Sequence, residues 1–228
     1  MTNATLWAEL LAYGSGVALS PIHIGLLLLL LLGPNPVRRG GLFVLSWMAT
    51  IALIVVLMLT VGHGLLLTME KGTSHRTGLD LLAAGGLLAL GLRELLDRKE
   101  EGQDPPGWTR QLDRFCAMPL PLLLGTSCAI ELVSPDDLFL FAKAASALLA
   151  SGLTRLQEVL YTGAFTLAAS MALLLPFAAV LIGRRQVVPL LERGKALLFS
   201  RGDLLVGGLS LVLAGYLGWQ GIEGLQVG

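Results

Sequence analysis

Residues Leu42–Gly62 form an unbroken stretch without one charged side chain, which leaves few choices of environment. A hydrocarbon core about 30 Å thick takes roughly 20 apolar residues of helix to cross. In lipid every backbone N–H and C=O needs a partner within the protein, so a crossing segment is a helix or part of a closed barrel. Barrel strands are short and alternate in polarity. The runs here are long, rich in Leu and Ala, and do not alternate. Across the chain 54% of residues are hydrophobic and 14% charged, against roughly 25% charged in soluble domains. The charges crowd into short stretches between apolar runs. The fold class predicted is an all-α integral membrane protein.

Six transmembrane helices are predicted, over about Leu6–Gly33, Leu42–Leu67, Leu81–Leu96, Pro119–Ala150, Leu156–Ile182 and Leu204–Ile222. The N-terminus has no basic n-region, so the first apolar run reads as a retained span rather than a cleaved signal. The polar stretch around Asp104-Pro105-Pro106-Gly107 reads as a loop. The chain divides into a first three-helix repeat over 1–97, a cytoplasmic loop over 98–117 and a second three-helix repeat over 118–228. Within the second repeat, Leu190, Leu191, Leu197 and Leu198 surround Glu192, Arg193 and Lys195. That pattern predicts a short amphipathic helix at the interface over 187–199.

Basic residues near span ends set the orientation. Arg38, Arg39, Arg93, Arg98, Lys99, Arg110, Arg114, Arg184, Arg185, Arg193, Lys195 and Arg201 fall on one side; Lys71, Arg76 and Arg155 fall on the other. This excess predicts both termini outside, in an inner (cytoplasmic) membrane. The sixteenth basic residue, Lys143, lies inside the fourth span.

Spans one and four are each longer than the bilayer needs, and each carries Ser-Pro near its middle: Ser20-Pro21 and Ser134-Pro135. Proline inside a helix removes a hydrogen bond and crowds the carbonyl four residues earlier. Serine is a good N-cap and proline suits the first helical position. Both spans are therefore read as broken. The two pairs are 114 residues apart, and the same shift lays span two on span five. Two three-span repeats sit in opposite orientations, the inverted-repeat plan of many secondary transporters.

Charges at membrane depth are costly and mark functional candidates. Span four holds Glu131, Asp136, Asp137 and Lys143. Asp136 and Asp137 directly follow Pro135, where they either cap a half-helix or handle a coupling ion. Lys143 lies two turns beyond Asp136, placed to pair with it or with Glu131, or to share a polar cavity. His23, at the matching place in span one, is a proton carrier near neutral pH or a histidine bonded to a helix carbonyl. Ser20, Pro21, Ser134 and Pro135 complete the candidate substrate or ion site. Glu9 and His63, near span ends, read as interfacial, as do Trp47 and Tyr161. Gly14-Ser15-Gly16 and Gly125-Thr126-Ser127 precede the breaks and read as close-packing surfaces. Pro176 is expected to kink span five. Three scattered histidines form no metal-ligand spacing, and Cys116 and Cys128 form no CxxC pattern, so no metal and no cofactor is implied.

Ala18-Leu19-Ser20-Pro21, Val133-Ser134-Pro135, the run from Ala144 to Phe177 with Pro176, and the ending Gly207-Gly208 through Gly218 together resemble the GAP family within the LysE superfamily of bacterial exporters. The similarity is diffuse and spans nearly the whole chain. It departs where that family's pattern places lysine after the second proline and this chain has Asp136-Asp137. The resemblance implies a six-span inner-membrane transporter; members export amino acids, metal ions or, in the GAP group, lipid-linked molecules such as glycolipids.

The function expected is a secondary transporter, an ion- or proton-coupled exporter of a small amphipathic, amino-acid-like or lipid-linked substrate. No GxxxxGK[ST] loop is present to bind a nucleotide. The balance of 16 basic and 16 acidic residues gives no argument for nucleic acid. The partners implied are the lipid bilayer and a small-molecule or lipid substrate, with homo-oligomerisation left open. The alternatives are a membrane enzyme or assembly factor without transport, and a thiol-redox conduit. No second acidic motif such as GxGD completes an enzyme site, and the first span lacks the cysteine a conduit needs.

Overall fold

The computed structural model describes residues 3–65, 73–96 and 118–227. The expected loop over 98–117 with Cys116, Lys71, and the side chains of Pro21, Pro135 and Asp136 lie outside the described residues. Among the described residues the chain is all-helical. Its α-helices are α1 (Asn3–Ala18), α2 (Pro21–Leu32), α3 (Pro36–Gly64), α4 (Ser74–Leu96), α5 (Leu120–Val133), α6 (Pro135–Leu149), α7 (Arg155–Ala169), α8 (Met171–Gly183) and α9 (Val188–Val227), with a 3₁₀ turn, Arg184–Val187, before α9.

Polarity is arranged inside out. Leu45, Leu53, Leu57, Leu82, Ile182 and Val212 are exposed, while Glu9, Arg76, Asp80, Glu131, Asp137 and Lys143 are buried. A soluble monomer rarely presents so much contiguous apolar surface and almost never buries this many charges. Lipid outside and polar partners inside account for both. One helix, α3, is by itself long and apolar enough to cross a bilayer, and there are up to three such spans if the bent pairs α1–α2 and α7–α8 each count as one.

Both Ser-Pro pairs break their helices. Ser20 (φ −63°, ψ 109°) and Ser134 (φ −72°, ψ 105°) are extended, and each proline opens the next helix. The axis turns by 58° between α1 and α2. Neither serine makes the expected side-chain cap to the backbone. Ser20 Oγ instead meets His23 Nδ1 at 2.9 Å, one turn along.

The bend expected at Pro176 falls elsewhere. α7 and α8 meet at 68° around Ser170, and Pro176 lies inside α8. Ser170 N–H is shared between the carbonyls of Thr166 and Leu167, and its own carbonyl accepts from Leu173 and Leu174. The carbonyl that Pro176 crowds, that of Ala172, sits in the first turn after this break, so the helix restarts upstream of the proline.

The separate interfacial helix over 187–199 is also corrected. It is the start of α9, a single 40-residue helix about 60 Å long at 1.5 Å per residue. Leu191 and Leu198 are buried and Gly194 lies against Leu28 of α2, so this apolar edge is covered by protein. One glycine, Gly202, is too weak a breaker to divide it.

α4 and α9 run antiparallel with small residues at the seam: Thr77 meets Gly224, Leu81 meets Gly221 and Ala84 meets Gly218. At the closest crossing, a Cβ on Gly91 would lie 3.0 Å from the Gly207 carbonyl oxygen, and one on Gly207 3.2 Å from that of Gly91. Of the glycines expected to pack, Gly14 meets Ala168, and Gly16 meets Leu140 and Leu213, but Gly125 has nothing within 4 Å of where a Cβ would be.

Candidate functional site

Buried polar groups lie at each of the two helix breaks. His23 opens α2 and is 1% exposed; its ring packs against Trp47 of α3, tilted by 54°, with centroids 4.0 Å apart. His23 Nε2 and Trp47 Nε1 have no hydrogen-bond partner among the described residues. Trp47 is thus a buried neighbour of the histidine rather than an interfacial anchor, while Tyr161 packs at a tilt against Trp7, with centroids 4.9 Å apart.

On α5, Glu131 is fully buried and neither carboxylate oxygen has a partner among the described residues. Asp137, in the first turn of α6, is also buried, and Glu131 lies within electrostatic reach of it. One turn before Glu131, the Cys128 thiol is held by Ser46 (3.2 Å) and Thr50 (3.0 Å) of α3. The breaks thus gather Ser20 with His23, and Glu131 with Asp137. A buried polar group left without a partner costs about 1–3 kcal/mol, so the Glu131 oxygens and His23 Nε2 are available to a proton or a polar ligand.

Lys143 belongs to a different centre. It pairs with Asp80 of α4 rather than with Glu131, and the side chain of Asp136 lies outside the described residues. One turn earlier on α4, Arg76 Nη2 donates to both oxygens of Glu9 of α1 at 3.0 Å. Tyr13 lies one turn beyond Glu9; its ring sits 5.5 Å from the Lys143 ammonium and its hydroxyl donates to Gln220 Oε1 at 3.1 Å. Two cations and two anions therefore close a neutral network across α1, α4, α6 and α9. Glu9 is corrected from an interfacial residue to a buried partner. His63, at the end of α3, binds Glu158 of α7 at 2.6 Å.

Sequence reasoning missed Arg76 and Asp80 because α4 begins at Ser74, ahead of the apolar run that starts at Leu81. The available signal was their spacing: four residues apart, they share one helix face.

A third feature is a groove of about 600 Å³ between α3, α4 and α6. Leu57, Met58, Leu79, Leu82 and Leu149 line it, with Ser74 and His75 at the start of α4. No group of three or more His, Cys, Asp or Glu that could hold a metal occurs among the described residues.

Residues 10–223 match the family described as Sap, sulfolipid-1-addressing protein. The chain belongs to the sulfolipid-1-addressing protein family. The family match covers both breaks, the groove and all of the charge network except Glu9. No curated protein and no solved structure matches the chain.

Proposed function

We propose that this membrane protein is a secondary transporter that moves a lipid-linked amphiphile out through the inner membrane, driven by a proton or ion gradient. The observation that carries the reading is Glu131: a fully buried carboxylate whose oxygens have no partner among the described residues, next to a helix break and within reach of Asp137. Such a group inside a membrane is costly and marks a transport pathway. His23, at the opposite break, is the second candidate proton carrier.

The finer architecture belongs to the same proposal: six spans in two inverted repeats. Its support is paired packing. α1 packs on α7 as α5 packs on α3; α4 packs on α6 as α9 packs on α2; α2 packs on α8 as α3 packs on α6; and the two third helices pack on each other. The resemblance to the GAP group favours the same plan. Arg76 is taken up by its buried pair with Glu9, so it no longer weighs on the outer side, which favours the charge bias that places both termini outside. The lipid-linked substrate is favoured by the family's description, which names a sulfolipid.

Inverted membrane vesicles containing the chain test this. Labelled amphiphile is expected to accumulate, and to stop accumulating with an uncoupler or in the Asp136→Asn, Asp137→Asn double variant. Normal flux in that variant removes the aspartates from the mechanism, and flux indifferent to the uncoupler removes the proton gradient. The word "addressing" in the family description also favours an assembly factor that hands lipid to other proteins. Purified chain that binds the amphiphile but never moves it would select that reading.

A further inference from the structure

The α3/α4/α6 groove has no part in the chemistry at the breaks. We propose that it is the docking site for the alkyl chain of the transported amphiphile, entered sideways from the bilayer, with a hydroxylated head group held at the start of α4. This rests on the lipid-linked reading above and adds the place and the polarity of the site.

Four observations carry it. The groove's size, about 600 Å³, falls within the range of roughly 300–1,000 Å³ typical of ligand sites. Leu57, Val61 and Leu82 both line it and reach the exposed outer surface, so the groove is continuous with the face that contacts lipid tails. Its polarity is graded: the body is apolar, while Ser74 and His75 supply hydrogen-bonding groups in the first turn of α4. Deeper in the wall, Ser146 Oγ is buried and has no hydrogen-bond partner among the described residues, offering one polar contact within the apolar trough.

Gly78 gives a clean way to fill the site. It lines the groove, and a Cβ built there meets nothing within 4 Å. A Gly78→Phe side chain therefore has room to enter the groove without striking backbone. Replacing a helical glycine also raises helix propensity, so the variant is expected to fold.

The test uses the full chain in nanodiscs and an alkyl glycoside carrying a diazirine in its tail, with a diazirine phosphatidylcholine as the competing lipid. After illumination, mass spectrometry locates the labelled residues. The glycoside is expected to label Met58, Leu79, Leu82 or Leu149 about tenfold more than the phospholipid does, a difference of about 1.4 kcal/mol. Gly78→Phe is expected to lower that labelling at least about tenfold with no loss of melting temperature. Ala142→Phe, filling the same groove from α6, is expected to repeat the effect. Equal labelling by both lipids, undiminished labelling in a folded groove-filling variant, or crosslinks from the groove to residues 66–72 or to a second copy would each overturn the proposal. Uncoupler-sensitive flux that persists in Gly78→Phe would sink the groove and spare the transporter. Specific groove labelling without any flux would do the reverse.

Discussion

Neutralising Asp80 or Lys143 separately should damage the protein far more than neutralising both. The two side chains pair across α4 and α6, and the residues are 2% and 1% exposed. Asp80→Asn leaves the Lys143 ammonium with only partial substitutes, the Tyr13 ring and the field of the Glu9 carboxylate. Lys143→Met leaves the Asp80 carboxylate without its cation. Breaking a buried pair by removing one partner costs about 3–5 kcal/mol, whereas replacing both is often close to neutral. The double variant should therefore recover at least about 2 kcal/mol relative to the sum of the singles. That size separates two explanations. A neutral interhelical hydrogen bond in a membrane contributes about 0.6 kcal/mol on average, so coupling above about 2 kcal/mol needs a charged pair shielded from water. The assay is equilibrium unfolding of the four proteins in mixed micelles, followed by circular dichroism. Single losses that simply add in the double variant, within about 0.5 kcal/mol, would refute the idea of a desolvated pair joining the helices.

Gly91→Val and Gly207→Val should each destabilise the α4/α9 seam by about 1–3 kcal/mol through overpacking, read as a lower melting temperature, because each Cβ would press on the other helix's backbone. Gly125→Ala should be neutral or stabilising by up to about 1 kcal/mol in the same measurement, since nothing lies near its Cβ position. Cys116→Ser with Cys128→Ser should keep uncoupler-sensitive flux, as the Cys128 thiol is held by Ser46 and Thr50; lost flux in a folded variant would revive the thiol-redox alternative. In a cysteine-free background, a cysteine at position 104 should react with an impermeant maleimide only after the membrane is opened, and one at position 3 should react from outside; the opposite pattern would reverse the proposed topology.

The parts of the fold written in local chemistry were legible in the sequence. Ser20-Pro21 and Ser134-Pro135 break their helices because an extended serine precedes a proline that opens the next helix. The length of α9 was not legible, because it depends on its first turns packing on α2, with Gly194 against Leu28. Span five misled for a similar reason: Pro176 signals a disturbance, but the carbonyl it crowds lies close to Ser170, where the turn is made. At the candidate site, Glu131, Asp137, His23 and Lys143 stood out as polar residues in apolar runs, and all four are buried. Their partners did not stand out. Glu9 and Arg76 are 67 residues apart, and Asp80 and Lys143 are 63 apart. Pairing over such distances is set by helix packing, and a single sequence carries no mark of it. Asp80 and Arg76 were hidden further by the convention of starting a span where hydropathy rises, which discards the polar first turns of α4.

The most direct test is proton movement in proteoliposomes loaded with a pH-sensitive dye. Adding amphiphile to the purified chain should acidify or alkalinise the lumen in step with its transport, and Glu131→Gln, folded and still able to bind the amphiphile, should abolish the proton signal. A proton signal unchanged in Glu131→Gln would contradict the role given to that carboxylate.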